Sequence, residues 1–126
     1  MRLLLDTHAF LWWLEGSPRL ARDARSRIAD PKSIVHVSAA SIWELAIKMA
    51  LGKLRVDRAD LSDEITANGF VELPIGSRHA SRAGALPRHH DDPFDRMLIA
   101  QAQIEELTLL TQDPAFGRYE VPVLPA

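Results

Sequence analysis

The sequence predicts an α/β fold, a three-layer α/β/α arrangement on a mainly parallel central sheet. Two observations carry that prediction. Short apolar or β-branched runs alternate with longer helix-like stretches from one end of the chain to the other, the order that builds parallel sheets with crossover helices. The 126 residues are 47% hydrophobic and 25% charged, ordinary globular composition with enough apolar surface for a single core. Residues 1–126 are accordingly read as one domain.

The elements follow in order. Arg2–Leu5 is an apolar run closed by Asp6 and reads as a buried first strand. Residues 7–15 are helical, and Gly16-Ser17-Pro18 ends them. Residues 19–29 form an Arg-rich polar helix. Ser33–Val37 is β-branched and reads as the second strand, with Ser38 as N-cap of a helix over 39–51 that Gly52 stops. A short helix over 61–68 ends at Gly69. Residues 70–73 are a third strand, and Ser77 is placed to cap a helix to Ala85. After the loop LPRHHDDP, Asp92-Pro93 opens a helix over 93–106. Leu107–Leu110 is strand-like, and Asp113-Pro114 opens a single helical turn. Val121–Leu124 is a last strand, and Pro122 assigns it to an edge.

Several function classes are excluded at once. There is no cysteine, hence no disulfide scaffold or thiolate metal site. The apolar run at Leu3–Leu5 is too short for a signal-peptide core, and no stretch approaches the ~20 apolar residues of a membrane span. These features predict a cytoplasmic protein without membrane contact. The net charge of −2 gives no global attraction to nucleic acid. The basic residues are nevertheless grouped: Arg19, Arg22, Arg25, Arg27 and Lys32; Lys48, Lys53, Arg55 and Arg58; Arg78, Arg82 and Arg88. Each group has an ordinary role as a solvated helix face, but basic patches beside an acidic pocket also suit a polyanion.

The acids are the informative feature. Asp6 and Asp113 follow strands directly, while Glu44 and Asp95 lie on helices that follow strands or strand-end loops. Ligands of open parallel sheets bind beyond the carboxyl ends of the strands, so four segments can converge there. Each acid also has a structural role available to it. Asp6 can cap the helix at 7–15. Glu44 completes a Ser41-Ile42-Trp43-Glu44 capping-box pattern or pairs with Lys48 at i,i+4. Asp95 suits a helix N-terminus, and Asp113-Pro114 has the form of a cap followed by proline. Four at one sheet edge make a further demand. Two carboxylates ~4 Å apart repel by about 4 kcal/mol at an effective dielectric near 20. A cluster therefore needs protons or a cation, and all-oxygen ligation selects a hard ion such as Mg²⁺ or Mn²⁺. Residue chemistry alone thus predicts a metal-dependent enzyme of phosphoryl groups.

At these residues the sequence resembles the PIN-domain nucleases, and within them the VapC-type toxins of bacterial toxin–antitoxin pairs. The resemblance is carried by LLLDTHAFLWWL, VSAASIWELAIKMALGKL, DPFDRMLIAQAQ and LLTQDPAF, in the family's order and across essentially the whole chain. It implies that Asp6, Glu44, Asp95 and Asp113 are both catalytic residues and ligands of Mg²⁺ or Mn²⁺. It further implies endonucleolytic cleavage of RNA, inhibition by a small VapB-type antitoxin and, often in the family, a homodimer.

Neighbouring residues complete the expectations. Thr7 and Thr111 can bond a metal water or a phosphate, or cap a strand end. Asp92 reads mainly as a helix N-cap and Asp91 as solvated. His89 and His90 read mainly as members of a solvated loop, with contact to RNA as the alternative, and His8 and His36 lack metal-ligand spacing. Phe10-Leu11-Trp12-Trp13-Leu14 cannot all face one core, which leaves either half-burial under loops or a groove for an antitoxin segment, with Trp43 on the same surface. Three rival readings remain. A receiver domain needs a lysine after a late strand, and the last lysine here is Lys53. A non-catalytic RNA- or protein-binding module would not need the acids. A phosphatase of small phosphate esters would not need the basic groups.

Overall fold

In the computed structural model, which describes residues 1–57 and 60–126, leucine alternation in the first strand generates the layers. β1 (Arg2–Leu5) places Leu3 and Leu5 on one face and Leu4 on the other, all fully buried. Leu3 and Leu5 join Phe10, Val37, Ile65 and Leu110 in one core. Leu4 joins Leu98, Ile99, Leu109 and Phe116 in a second core. A strand buried on both faces reads as a continuous apolar run, as Leu3-Leu4-Leu5 does.

The helices that cover the two faces are α1 (Thr7–Glu15), α2 (Arg22–Ala29), α3 (Ala39–Ala50), α4 (Leu61–Ala67), α5 (Ser77–Ala85) and α6 (Pro93–Glu105). The remaining strands are β2 (Ile34–Ser38), β3 (Val71–Leu73), β4 (Thr108–Thr111) and β5 (Val123–Pro125), with a 3₁₀ turn at Pro114–Arg118. The sheet order is β3-β2-β1-β4-β5 and every pairing is parallel. The expected three-layer α/β/α fold is therefore the observed one.

This order has a functional consequence. The chain runs outward from β1 through β2 to β3, then returns to β4 on the other side of β1. The crevice between β1 and β4 is thus the topological switch point, where ligands of open α/β sheets bind. Leu5 pairs with Leu110, and the Asp6 N–H continues the ladder by donating to the Leu110 carbonyl at 3.0 Å. Asp6 and the segment after β4 therefore leave the sheet side by side.

Several expectations change in detail. The helix expected over 19–29 begins only at Arg22, because Pro18–Leu20 form a separate turn closed by Leu20 N–H to Ser17 O. Ser41 is inside α3, whose cap is Ser38, so the Ser41–Glu44 capping box does not exist. Ser77 caps nothing. Gly76 occupies the N-cap of α5, and its N–H donates to His79 Nδ1 at 2.9 Å. β5 begins after Pro122, and its edge position is as expected. Arg58, part of the second basic group, lies outside the described residues. Among the described residues no helix is long and apolar enough to cross a membrane.

Candidate metal centre

Two of the four acids are themselves helix caps, and a third sits in the first turn behind one. The Asp6 carboxylate accepts from the Ala9 N–H through Oδ1 at 2.8 Å as the N-cap of α1. Asp113 does the same for the 3₁₀ turn, where Oδ1 accepts from the Ala115 N–H at 2.9 Å and Pro114 fills the first position. Asp95 lies in the first turn of α6, whose cap is Asp92. Asp92 Oδ1 accepts from the N–H groups of Phe94 and Asp95 at 2.8 and 3.0 Å. Capping and metal ligation are therefore compatible at these positions. A cap uses one carboxylate oxygen and fixes the direction of the other.

Glu44 comes from α3 and is buried. Thr7 Oγ1 donates to its Oε1 at 2.7 Å and lies 3.0 Å from Ser41 Oγ. Lys48 Nζ lies 3.1 Å from Glu44 Oε2, the i,i+4 pair foreseen in the sequence. On the other side, Thr111 Oγ1 accepts from the Asp113 N–H at 3.0 Å, and the Thr111 side chain also bonds Asp6.

The nearest ligating atoms of His90, Asp95 and Asp113 all lie within 4.8 Å of one another. Among the described residues that compact group contains neither Asp6 nor Glu44, which sit a step further away. Their charges still reach it. Asp95 is pushed up to about 7, first by burial, then by Asp92, against the attraction of His90, with Glu44 and Asp6 adding to the rise. The Asp6 carboxyl is also raised, chiefly by burial, against its bonds to Thr111 and Ala9. Buried acids that resist ionisation together need a cation or protons. The four carboxylates supply oxygen donors that fit Mg²⁺ or Mn²⁺, with the His90 imidazole the one nitrogen in the compact group.

Two residues at this site escaped the sequence reading. His90, expected in a solvated loop, is only 17% exposed, and its Nε2 lies 2.8 Å from Asp95 Oδ2 and 3.2 Å from Asp113 Oδ2. The N–H direction is aligned with neither oxygen, so these are close contacts without a directional hydrogen bond. His89 stays exposed, with its ring against Tyr119. The second residue is Arg96. Its guanidinium donates to four backbone carbonyls, those of Ala83, Leu86, Pro87 and His90, at 2.8–3.1 Å. A cation near a helix N-terminus opposes the macrodipole, and that anomaly was the available signal for Arg96.

The apolar run on α1 resolves largely inward. Phe10 and Leu11 are buried, while Trp12, Trp13 and Leu14 are half-buried. Trp13 packs on Phe70 and donates Nε1–H to Asn68 at 3.0 Å. Trp43 packs on Phe94 instead, with ring centroids 5.3 Å apart, and stays 61% exposed. A recess of about 400 Å³ opens beside Thr7, lined in part by His8, Trp12, Arg19, Lys48 and Lys53.

Comparison with protein families matches residues 3–122 to the PIN domain. No curated protein sequence matches the chain. Three of the solved structures that share the fold illustrate it. VapBC2 from Rickettsia felis, bound to a DNA fragment from its promoter, aligns at TM-score 0.74 and 15% identity over 99% of this chain and 98% of that one. A toxin–antitoxin complex from Klebsiella pneumoniae aligns at 0.67 and 18% over 97% and 95%. FitAcB from Neisseria gonorrhoeae aligns at 0.63 and 20% over 97% and 96%.

Proposed function

This chain belongs to the PIN domain family, and from that premise we propose that it is a Mg²⁺- or Mn²⁺-dependent endoribonuclease, the toxin of a toxin–antitoxin pair. PIN domains are generally nucleases. The observation that carries the reading is the delivery of Asp6, Glu44, Asp95 and Asp113 from four segments to the β1/β4 crevice, with Asp6 and Asp95 both raised. Burial chiefly raises both carboxyls, and a bound cation would offset the cost of ionising them there.

Asp6 and Asp95 are the main ligands in this account, and Glu44 and Asp113 complete the shell directly or through water. When bound, the divalent cation supplies an activated water and neutralises the charge of an in-line displacement at phosphorus. The chain's own residues do the rest. Thr7 and Thr111 fix the carboxylates of Glu44 and Asp6. Their bonds leave fewer rotamers for the ligands to lose on binding. Lys48, Lys53 and Arg19 line the recess beside Thr7 and hold the RNA backbone by charge. Release of Lys48 from Glu44 would free it for phosphate.

The toxin reading rests on the fold shared with the Klebsiella pneumoniae toxin–antitoxin complex, VapBC2 and FitAcB. It predicts a VapB-type antitoxin as partner, a homodimer and a cytoplasmic location. The test is cleavage of RNA by the purified protein with Mg²⁺ or Mn²⁺, with EDTA, and by Asp95→Asn prepared identically. The expected result is cleavage that needs metal and disappears in the variant. Equal cleavage by both proteins identifies a contaminant. Hydrolysis of small phosphate esters with RNA left intact replaces the nuclease by a phosphatase.

A further inference from the structure

The loop before α6 is held more firmly than a solvent loop requires. Arg96 binds the carbonyls of Leu86, Pro87 and His90 in it, and that of Ala83 just before it. Tyr119 clamps it from the opposite side, where the hydroxyl donates to the Pro87 carbonyl at 2.8 Å and accepts from the His89 N–H at 3.1 Å. The loop's inward side chain is His90, whose ring rests on Phe116 with centroids 5.9 Å apart. Two clamps thus deliver one imidazole to the acids.

The hydrogen bonds of that ring specify what it can do. The Asp92 N–H donates to His90 Nδ1 at 3.3 Å. With Nδ1 accepting, the ring proton belongs on Nε2, and an Nε2–H is a donor and no metal ligand. Nε2 is buried and close to two carboxylates but aligned with no acceptor. The other side-chain donors around the acids have partners: Thr7 with Glu44, Thr111 with Asp6, Lys48 with Glu44. His90 alone presents a directed N–H among acids without an aligned acceptor, among the described residues at this site.

We infer that His90 is a substrate-binding residue of the nuclease site, with its Nε2–H donating to a non-bridging oxygen of the scissile phosphate. This rests on the nuclease reading above. A phosphate carried to the acids by a cation brings acceptor oxygens into a crevice where carboxylates offer none of the donors it needs. His90 supplies one. It forms no bond to phosphorus and transfers no proton in this role. A residue held in place before substrate arrives loses little freedom on binding, which is the purpose of the Arg96 and Tyr119 clamps.

The test uses two variants of the full chain. His90→Phe keeps a ring against Phe116 and removes the donor, while His90→Gln keeps an N–H near the Nε2 position. Steady-state cleavage of a short single-stranded oligoribonucleotide is read together with Mn²⁺ affinity, measured by calorimetry with the metal alone. One hydrogen bond to a charged phosphate sets the scale, so His90→Phe should lower kcat/KM about 10- to 100-fold, and His90→Gln should stay within about fivefold of wild type. Mn²⁺ affinity should stay within about threefold in both, since losing a ligand or a residue that orients one costs about tenfold or more. Wild-type kcat/KM in His90→Phe overturns the inference, as does an equal loss in His90→Gln. Mn²⁺ binding weakened tenfold or more makes His90 a ligand, and binding tightened by that factor makes it a plug, and either outcome also overturns it. A wild-type protein that binds Mn²⁺ but cuts no RNA refutes the nuclease reading first, and His90's role falls with it.

Discussion

Replacing Asp95 by asparagine should stabilise the metal-free protein while abolishing its activity. The carboxyl is raised from 3.8 to about 7, first by burial and then by Asp92, so ionising it in the fold is unfavourable. Taken whole, that displacement corresponds to about 4 kcal/mol. The side chain is 22% exposed, and solvent screening reduces the figure to roughly 2–3 kcal/mol. The variant also loses a favourable place for negative charge at the α6 N-terminus, worth ~0.3–1 kcal/mol. The net gain is about 1–2 kcal/mol, or roughly 4–8 °C in thermal midpoint for a domain of this size. The sign with pH follows from linkage. The folded carboxyl keeps its proton to higher pH than the unfolded one, so wild type loses stability as pH rises from 3.8 to about 7. The advantage of Asp95→Asn should therefore be small near pH 4, grow through that window and level off above it. Thermal unfolding in EDTA across this range checks it. A variant less stable than wild type at pH 8 refutes the reasoning, because the buried carboxyl would then not resist ionisation in the fold.

Further outcomes follow from the same geometry. Adding Mn²⁺ should raise the wild-type melting point and leave Asp95→Asn nearly unchanged, since a cation stabilises only the state that binds it; equal shifts would place the ion elsewhere. Thr7→Val removes the bonds to Glu44 and Ser41 at near-constant volume and should weaken Mn²⁺ binding about 10- to 100-fold by calorimetry. Arg96→Ala deletes four bonds to backbone carbonyls and should cost about 2–4 kcal/mol in urea unfolding, with Arg96→Lys recovering little because an ammonium cannot span the same fork. Gly16 closes α1 at φ +60°, and Gly16→Ala should cost about 1 kcal/mol through backbone strain alone.

The fold was legible because its signals are local. The Leu3-Leu4-Leu5 run, the β-branched second strand and the Gly and Pro punctuation each announce an element, and their alternation dictates a parallel sheet. The strand order was not legible, since the return from β3 to β4 across β1 depends on long-range pairing. The strand-end acids, Asp6 and Asp113, could be placed because a strand terminus has a known direction. Glu44 and Asp95 needed a helix phase as well, and the helix at Glu44 was given a second possible cap at Ser41 when Ser38 is the one that acts. His90 was read mainly as solvated, with RNA contact as the alternative, because nothing adjacent to it in sequence signals its burial. Its burial comes from Phe116 and from the loop's clamps, residues that sequence order keeps apart from it.

The most direct test of the central claim, that the four acids form one divalent-metal centre, is anomalous diffraction from crystals grown with Mn²⁺. The account predicts an anomalous peak in the β1/β4 crevice, with carboxylate oxygens of Asp6 and Asp95 at roughly 2.0–2.3 Å and Glu44 and Asp113 bound directly or through water. A saturating Mn²⁺ concentration that leaves the crevice without a peak, or that places the ion away from these acids, would contradict it.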